Sequence, residues 1–386
     1  MSHITFNNLE LNHKSISVRA EYQDSVDLWF EFDRDVNVSS TQVALAMATL
    51  AGVEYDSITF DFEVDNTAVE SIRAATGASI EAVPSEQPRP ITSSTGNLLS
   101  FSGGFDSLCA WRLMPEETHL VSMDFGGWFA READFFKQFD TLIIRTNARS
   151  EPSHRTSLAR NHWTFMAIGA ILSAGYFNSR FHSFGQILGE SLSRTPKRVP
   201  TPTVLAELGY VDAGYARGLT EVGTASVILQ SDPWHVHNSL KSLSGPADRK
   251  IFRKIALSTL VGTKLGISVD IPASDPSKSP NIRMGDDYAS SLAALYCISQ
   301  GAENAISELF EYIPSSARDL ASECSMDFMG KVNWDAYASF PRELREGLWE
   351  NLYKFGFEPY SERDWEEIRQ VRAYLAEAHK IAHEKR

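Results

Sequence analysis

Cysteine is scarce in this sequence. Cys109, Cys297 and Cys324 are its three cysteines among 386 residues, too far apart for a disulfide framework or a paired-cysteine metal site. That usage points to a reducing, cytoplasmic setting. Long apolar runs are missing as well: none approaches the ~20 residues that a bilayer-spanning helix needs. The opening Met1-Ser2-His3-Ile4-Thr5 has neither the basic flank nor the apolar stretch of a secretory signal. Positive charge is in deficit, with 36 Lys and Arg against 50 Asp and Glu and a formal net charge of -14. An acidic surface repels a phosphate backbone, so an extended nucleic-acid footprint is disfavoured. The sequence contains no GxxxxGK[ST] loop, no GxGxxG fingerprint, no internal repeat and no low-complexity tract.

What is present is an ordinary globular composition, 43% hydrophobic and 22% charged, in a chain long enough for two or three domains. Residues 1–92 read as an N-terminal α+β domain. Ser25 to Asp33 and Ser57 to Asp65 alternate apolar and polar residues, the pattern of half-buried strands. Ser40 and Asn66 are expected to cap helices reaching Leu50 and Ala75. Pro84 to Pro90 has linker composition. Residues 96–280 then alternate strand and helix. Leu98 to Phe101, His119 to Met123, Leu142 to Ile144 and Phe181 to Phe184 are expected strands. Helices are expected to Met114, over Arg131 to Phe139 and over Asn161 to Ala174. This order predicts an α/β fold, a parallel sheet covered by helices, with ligands at the carboxyl ends of its strands. Residues 281–386 read as a helical C-terminal region, with spacing for helices over Ala289 to Cys297, Glu303 to Tyr312, Glu343 to Phe355 and Trp365 to Lys380.

The chemistry concentrates at Phe101-Ser102-Gly103-Gly104-Phe105-Asp106-Ser107, between the first of those strands and a helix. Paired glycines permit positive φ and leave no Cβ between backbone and ligand. The amides of the following helix start then favour a phosphate-sized anion. Ser102 and Ser107 add hydroxyls, and Asp106 orients the loop or helps hold Mg²⁺. A plain strand-to-helix turn capped by Ser102 is the alternative.

SGGxDS resembles the signature of the PP-loop ATP pyrophosphatase family. The likeness over residues 97–281 is greatest to the 7-cyano-7-deazaguanine synthases. Besides Phe101 to Trp111, it rests on Met123-Asp124-Phe125-Gly126 with Glu132, on Leu158-Ala159-Arg160-Asn161, and on Ser183-Phe184-Gly185, in matching order and spacing. The resemblance implies that the loop binds ATP, with Met123, Asp124 and Gly185 completing the nucleotide site. It implies catalytic roles for Ser102, Asp106, Ser107 and Arg160, and splitting of ATP between its α and β phosphates to adenylate a carboxylate. Asn161, Gln186, Lys197 and Arg198 would meet the acyl substrate. The synthases' four-cysteine zinc site has no counterpart: residues 281–290 contain no cysteine, and Gly127, Trp128 and Phe129 replace a glutamine and basic pair. No structural zinc is therefore expected, and the substrate side differs. Synthase-like proteins with N-terminal extensions occur in bacterial antiviral defence operons, where the acceptor is thought to be a partner protein. A non-catalytic nucleotide-binding component of a defence or sensing complex is the alternative function.

Other candidates have plainer readings beside them. Trp234-His235-Val236-His237 puts two histidines on one face if it is a strand, and otherwise is a surface turn after Pro233. Asp286-Asp287 reads as a helix cap or a Mg²⁺ ligand. Arg194, Lys197 and Arg198 lie in a proline-rich loop suited to substrate selection or to simple connection. Arg249, Lys250, Arg253 and Lys254 read as the charged outer face of a helix, with anion binding as the alternative. Cys109 reads as core.

Overall fold

The computed structural model describes residues 2–85, 95–127, 130–149, 162–188, 192, 203–243, 248–272 and 276–384. The strands are β1 (His3–Leu11), β2 (Ser15–Glu21), β3 (Ser25–Phe32), β4 (Ser57–Val64), β5 (Ser79–Pro84), β6 (Asn97–Ser100), β7 (His119–Asp124), β8 (Thr141–Thr146), β9 (Phe181–Phe184) and β10 (Val211–Asp212). The first seven helices are α1 (Ser40–Ala51), α2 (Asn66–Thr76), α3 (Phe105–Leu113), α4 (Ala130–Phe136), α5 (His162–Leu172), α6 (Ala174–Phe177) and α7 (Thr203–Glu207). They are followed by α8 (Glu221–Ser231), α9 (Val236–Leu243), α10 (Arg249–Leu265), α11 (Tyr288–Ser299), α12 (Ser315–Glu323), α13 (Arg345–Lys354) and α14 (Glu362–Glu384). Among the described residues, no helix is long and apolar enough to cross a membrane.

The fold is α/β, but the chain divides differently from the three expected segments. Two compact units form, one from residues 1–102, 115–184 and 199–213, the other from residues 103–114, 185–198 and 214–386. The first holds all ten strands in a single sheet of order β10-β9-β6-β7-β8-β3-β2-β1-β4-β5. Of its nine neighbouring pairs six are parallel and three antiparallel.

Residues 1–102 thus fall in one compact unit with residues 115–184 and 199–213. β3 pairs with β8 through Phe30↔Thr146, Glu31↔Arg145 and Phe32↔Ile144, so the N-terminal strands extend the central sheet. An uncovered β8 would leave a row of unpaired amides and carbonyls, and β3 fills that edge. The Gln42 amide of α1 donates to the Ile171 carbonyl of α5 at 2.8 Å, which ties the helical layer across the same join.

Local sequence explains the elements. In β3 burial alternates strictly, with Val26, Leu28, Phe30 and Phe32 buried, and the first three stand opposite buried Ala20, Val18 and Ile16 of β2. Such cross-strand apolar pairs are what stabilise a sheet. The caps lie one residue earlier than expected: Ser39 forms a capping box with Gln42, and Asp65 accepts from the Thr67 amide. In each case the capping residue keeps extended backbone, which lets its side chain reach the second or third helical amide.

β6 has β9 on one side and β7 on the other, all three parallel. The chain runs from β6 outward through β7 and β8, then returns to β9 on the opposite flank. The strand order reverses there, so the carboxyl ends of β6 and β9 form a topological switch point, the position at which open α/β sheets bind ligands.

The second unit is helical. α3 and α10 both pack on α8, α11 packs on α10, and α12 and α14 pack on α11. The helix expected over Glu303 to Tyr312 does not form: two 3-10 turns, Glu303–Ala305 and Ser307–Leu309, take its place. After them Phe310 is extended and bridges to Ile282, with the Ile282 amide on the Leu309 carbonyl at 3.0 Å. That pairing satisfies backbone groups a continuing helix would have bonded internally.

A glycine loop at a helix start and the ion pairs behind it

β6 is buried along its whole length and ends at Ser100. Gly103 has φ of +70°, left-handed backbone that glycine adopts without a Cβ clash. Gly104 is the N-cap of α3 and supplies no side-chain cap to the first helical amides. Those amides are the donors an anion at a helix start would use. Ser107, 2% exposed, donates its hydroxyl to the Gly104 carbonyl at 3.0 Å, and the buried Ser239 hydroxyl donates to the Gly103 carbonyl at 2.8 Å. Both serines thus hold the loop's carbonyls. Gly185 passes directly against the same turn: a Cβ there would lie 2.5 Å from the Ser107 nitrogen.

Behind the loop lies a network that the sequence reading missed. Lys254 on α10 is 1% exposed, and its ammonium stands 2.9 Å from Asp106 Oδ1 and 3.4 Å from Glu221 Oε1. Thr224 adds its hydroxyl to Asp106 Oδ1 at 3.2 Å. Arg253 forks onto Glu221 at 2.7 and 3.2 Å and reaches Asp287 Oδ2 at 3.1 Å and the Ser290 hydroxyl at 3.0 Å. Arg249 lies 3.3 Å from Asp287 Oδ1.

Three carboxylates thus face three cations in and around the interior of the helical unit. Burial alone would strip Lys254 of its proton, but Asp106 and Glu221 outweigh it and raise the pKa, so the ammonium is retained. Burial also opposes ionisation of Glu221, and Lys254 and Arg253 overcome it and hold the carboxyl below its ordinary range. The reading of Arg253 and Lys254 as an outer face is therefore corrected. The signal was available: Lys254 sits one turn from Leu257 and Ser258 and two from Val261, on the buried stripe of α10.

The remaining predicted residues divide into three groups. Asp106, Ser107, Gly103, Gly104, Phe105 and Gly185 come together in the helical unit, and half-buried Gln186 follows Gly185. Phe101, Ser102, Met123 and Asp124 belong to the sheet unit. There Phe101 is fully buried, edge-on to Phe139 at 4.7 Å, and Met123 is core. Asp124 Oδ1 accepts from the Gly126 amide at 2.9 Å and so closes the turn after β7. Arg160, Asn161, Arg194, Lys197 and Arg198 lie outside the described residues.

The histidine pair is not on a strand. His235 ends a 3-10 turn and His237 lies in α9, 2.9 Å from Asp270. Asp287 caps α11 by accepting from the Ser290 amide at 2.9 Å. Cys109 is core, its thiol pushed up by burial and then by Asp106. Among the described residues, no cluster of three or more His, Cys, Asp or Glu could hold a metal. No protein-family model, no curated protein and no solved structure matches the chain.

Proposed function

We propose that the chain is an ATP-dependent carbon–nitrogen ligase of the PP-loop type, akin to 7-cyano-7-deazaguanine synthase in its loop but not in its substrate side. The observation that carries this reading is the start of α3. A left-handed Gly103 precedes a helix whose N-cap, Gly104, has no side chain to cap it, on the connection leaving the switch-point strand. Fixed amides of this kind neutralise charge developing on a departing pyrophosphate without reorganising, a contribution of about 3 kcal/mol per donor.

In this reading ATP supplies an AMP group to a carboxylate oxygen as the α–β phosphate bond breaks, and a nitrogen nucleophile then takes the acyl carbon and displaces AMP. The amides of Phe105 and Asp106, at the start of α3, would hold the phosphates, while Gly185 packs on the Ser107 amide. Ser107 and Ser239 keep the loop's carbonyls turned into the protein, where they cannot repel an anion. Asp106 is the loop's carboxylate for Mg²⁺, which needs only one or two from the protein. Lys254 and Thr224 fix its orientation from behind. Arg160 is the proposed contact for the α phosphate or acyl group. Cytoplasmic location and a protein acceptor remain part of this proposal.

The test is incubation with ATP, Mg²⁺ and a panel of carboxylic acids, with AMP and pyrophosphate as the readout. The expected result is stoichiometric AMP and pyrophosphate, lowered at least a hundredfold by Asp106→Ala. ADP as product would contradict the assigned bond. ATP binding without turnover would favour the non-catalytic reading instead.

A further inference from the structure

A cavity within the helical unit has Glu221 in its wall. Its volume is about 60 Å³, and its walls come from α8, α10 and α11 together with Ile187 and Met329. That is several times the roughly 10–15 Å³ that one water needs, room for one compact group. Most of its lining is hydrocarbon: Ile187, Leu257, Leu292, Ala293 and Met329.

Its polar side chains are already engaged. The Thr220 hydroxyl donates to the Met329 carbonyl at 2.6 Å and accepts from the Val222 and Gly223 amides. Both oxygens of Glu221 are held by Arg253, and Lys254 adds a third contact. Tyr288 also has a partner. A ligand rich in hydrogen-bond groups would therefore bury them unpaired here, at a cost of roughly 1–3 kcal/mol each. A hydrocarbon group loses nothing and gains about 25 cal/mol per Å² removed from water.

We infer that this cavity receives the apolar body of the carboxylic acid on which the chain acts, a neutral aliphatic or aromatic group of one ring or a short chain. The inference rests on the acyl-adenylation reading and narrows its substrate class: a deazapurine acid, with several donors and acceptors around its ring, is excluded. The placement has a mechanical consequence. Glu221 is at once a wall of this cavity and the partner of Lys254, whose other carboxylate is Asp106 of the glycine loop. A group seated against Glu221 thus bears on the residue that positions the loop's carboxylate.

The experiment uses the full chain with ¹³C-labelled Ile, Leu, Ala and Met methyls, titrated separately with indole and with cytosine. Indole is a largely apolar fused bicycle with one N–H and no carboxylate, an upper bound on the size of the group; cytosine is smaller and polar. Saturable shifts of the Ile187, Leu257, Leu292, Ala293 and Met329 methyls with indole, and none with cytosine, are expected. Ala289→Leu narrows the half-buried side of the cavity and should weaken the indole response at least tenfold. The stabilisation of that variant by Mg·ATP should persist. Lining methyls that ignore indole, that respond equally to cytosine, or that respond unchanged in Ala289→Leu would overturn the assignment. Mg·ATP binding is measured on the same sample. Its absence with indole binding intact would fail the adenylation reading rather than the cavity, and the converse would fail the cavity alone.

Discussion

A lysine ammonium almost wholly removed from water persists only where anions replace its hydration. Lys254 meets that condition because two chain segments far apart in sequence bring Asp106 and Glu221 to it, at 2.9 and 3.4 Å. Removing one partner of such a set leaves charges that the interior cannot solvate, whereas removing both partners is far less harmful. Lys254→Met is expected to lower the unfolding free energy by about 3 kcal/mol. Asp106→Asn combined with Lys254→Met should recover part of that loss. Urea denaturation of the two variants beside the wild type measures both, and an unchanged midpoint for Lys254→Met would show that the pair contributes nothing. The residues of the glycine loop were legible because glycine and serine at a strand-to-helix junction carry their own conformational signal. Lys254, Arg253, Glu221 and Thr224 were not, because their meaning depends on which helices pack together.

At the scale of elements, strands with one wet face declared themselves through alternation. β3 and β4 appear within a residue of their expected ends, and the strands from β6 to β9 follow in order. β1, β2, β5 and β10 went unread, although in β2 the alternation is as regular as in β3, with Ile16, Val18 and Ala20 buried. The Glu303 to Tyr312 segment has helical spacing but bonds its backbone to Ile282 instead, a long-range competition that periodicity cannot register.

β9 carries a second consequence. His182 is fully buried, and its ring lies 2.9 Å from the Ser100 hydroxyl of β6. Burial pushes its pKa down to about 3. A depressed pKa means that protonation favours the unfolded chain. The stability tied to neutral His182 is present above the ordinary histidine range near 6.5 and is lost as pH falls toward about 3. In that window the wild type should lose up to about 1.4 kcal/mol per pH unit more than His182→Gln. Urea midpoints of both proteins at pH 7 and pH 5 provide the check. Parallel losses would show that the histidine is not titrating as its burial dictates.

For the whole molecule, the sequence suggested three consecutive segments, whereas contacts group the chain into two interleaved units. Linker composition at Pro84 to Pro90 is real, but composition marks where a chain is polar, not which strand edges need covering. The antiparallel join of β3 to β8 turns an expected separate domain into half of a ten-stranded sheet. The glycine loop lies at one of the crossings between the two units, which part between Ser102 and Gly103.

The central claim is that the amides beyond Gly103 hold the phosphates of a nucleotide. Isothermal titration of the wild type and of Gly103→Val with Mg·ATP, with both folds verified by circular dichroism, tests it most directly. Valine cannot rest at the φ of +70° that Gly103 adopts, so it must rebuild the turn. The wild type should bind one-to-one, and the variant at least tenfold more weakly. No binding by the wild type, or equal affinity in the two proteins, would contradict it.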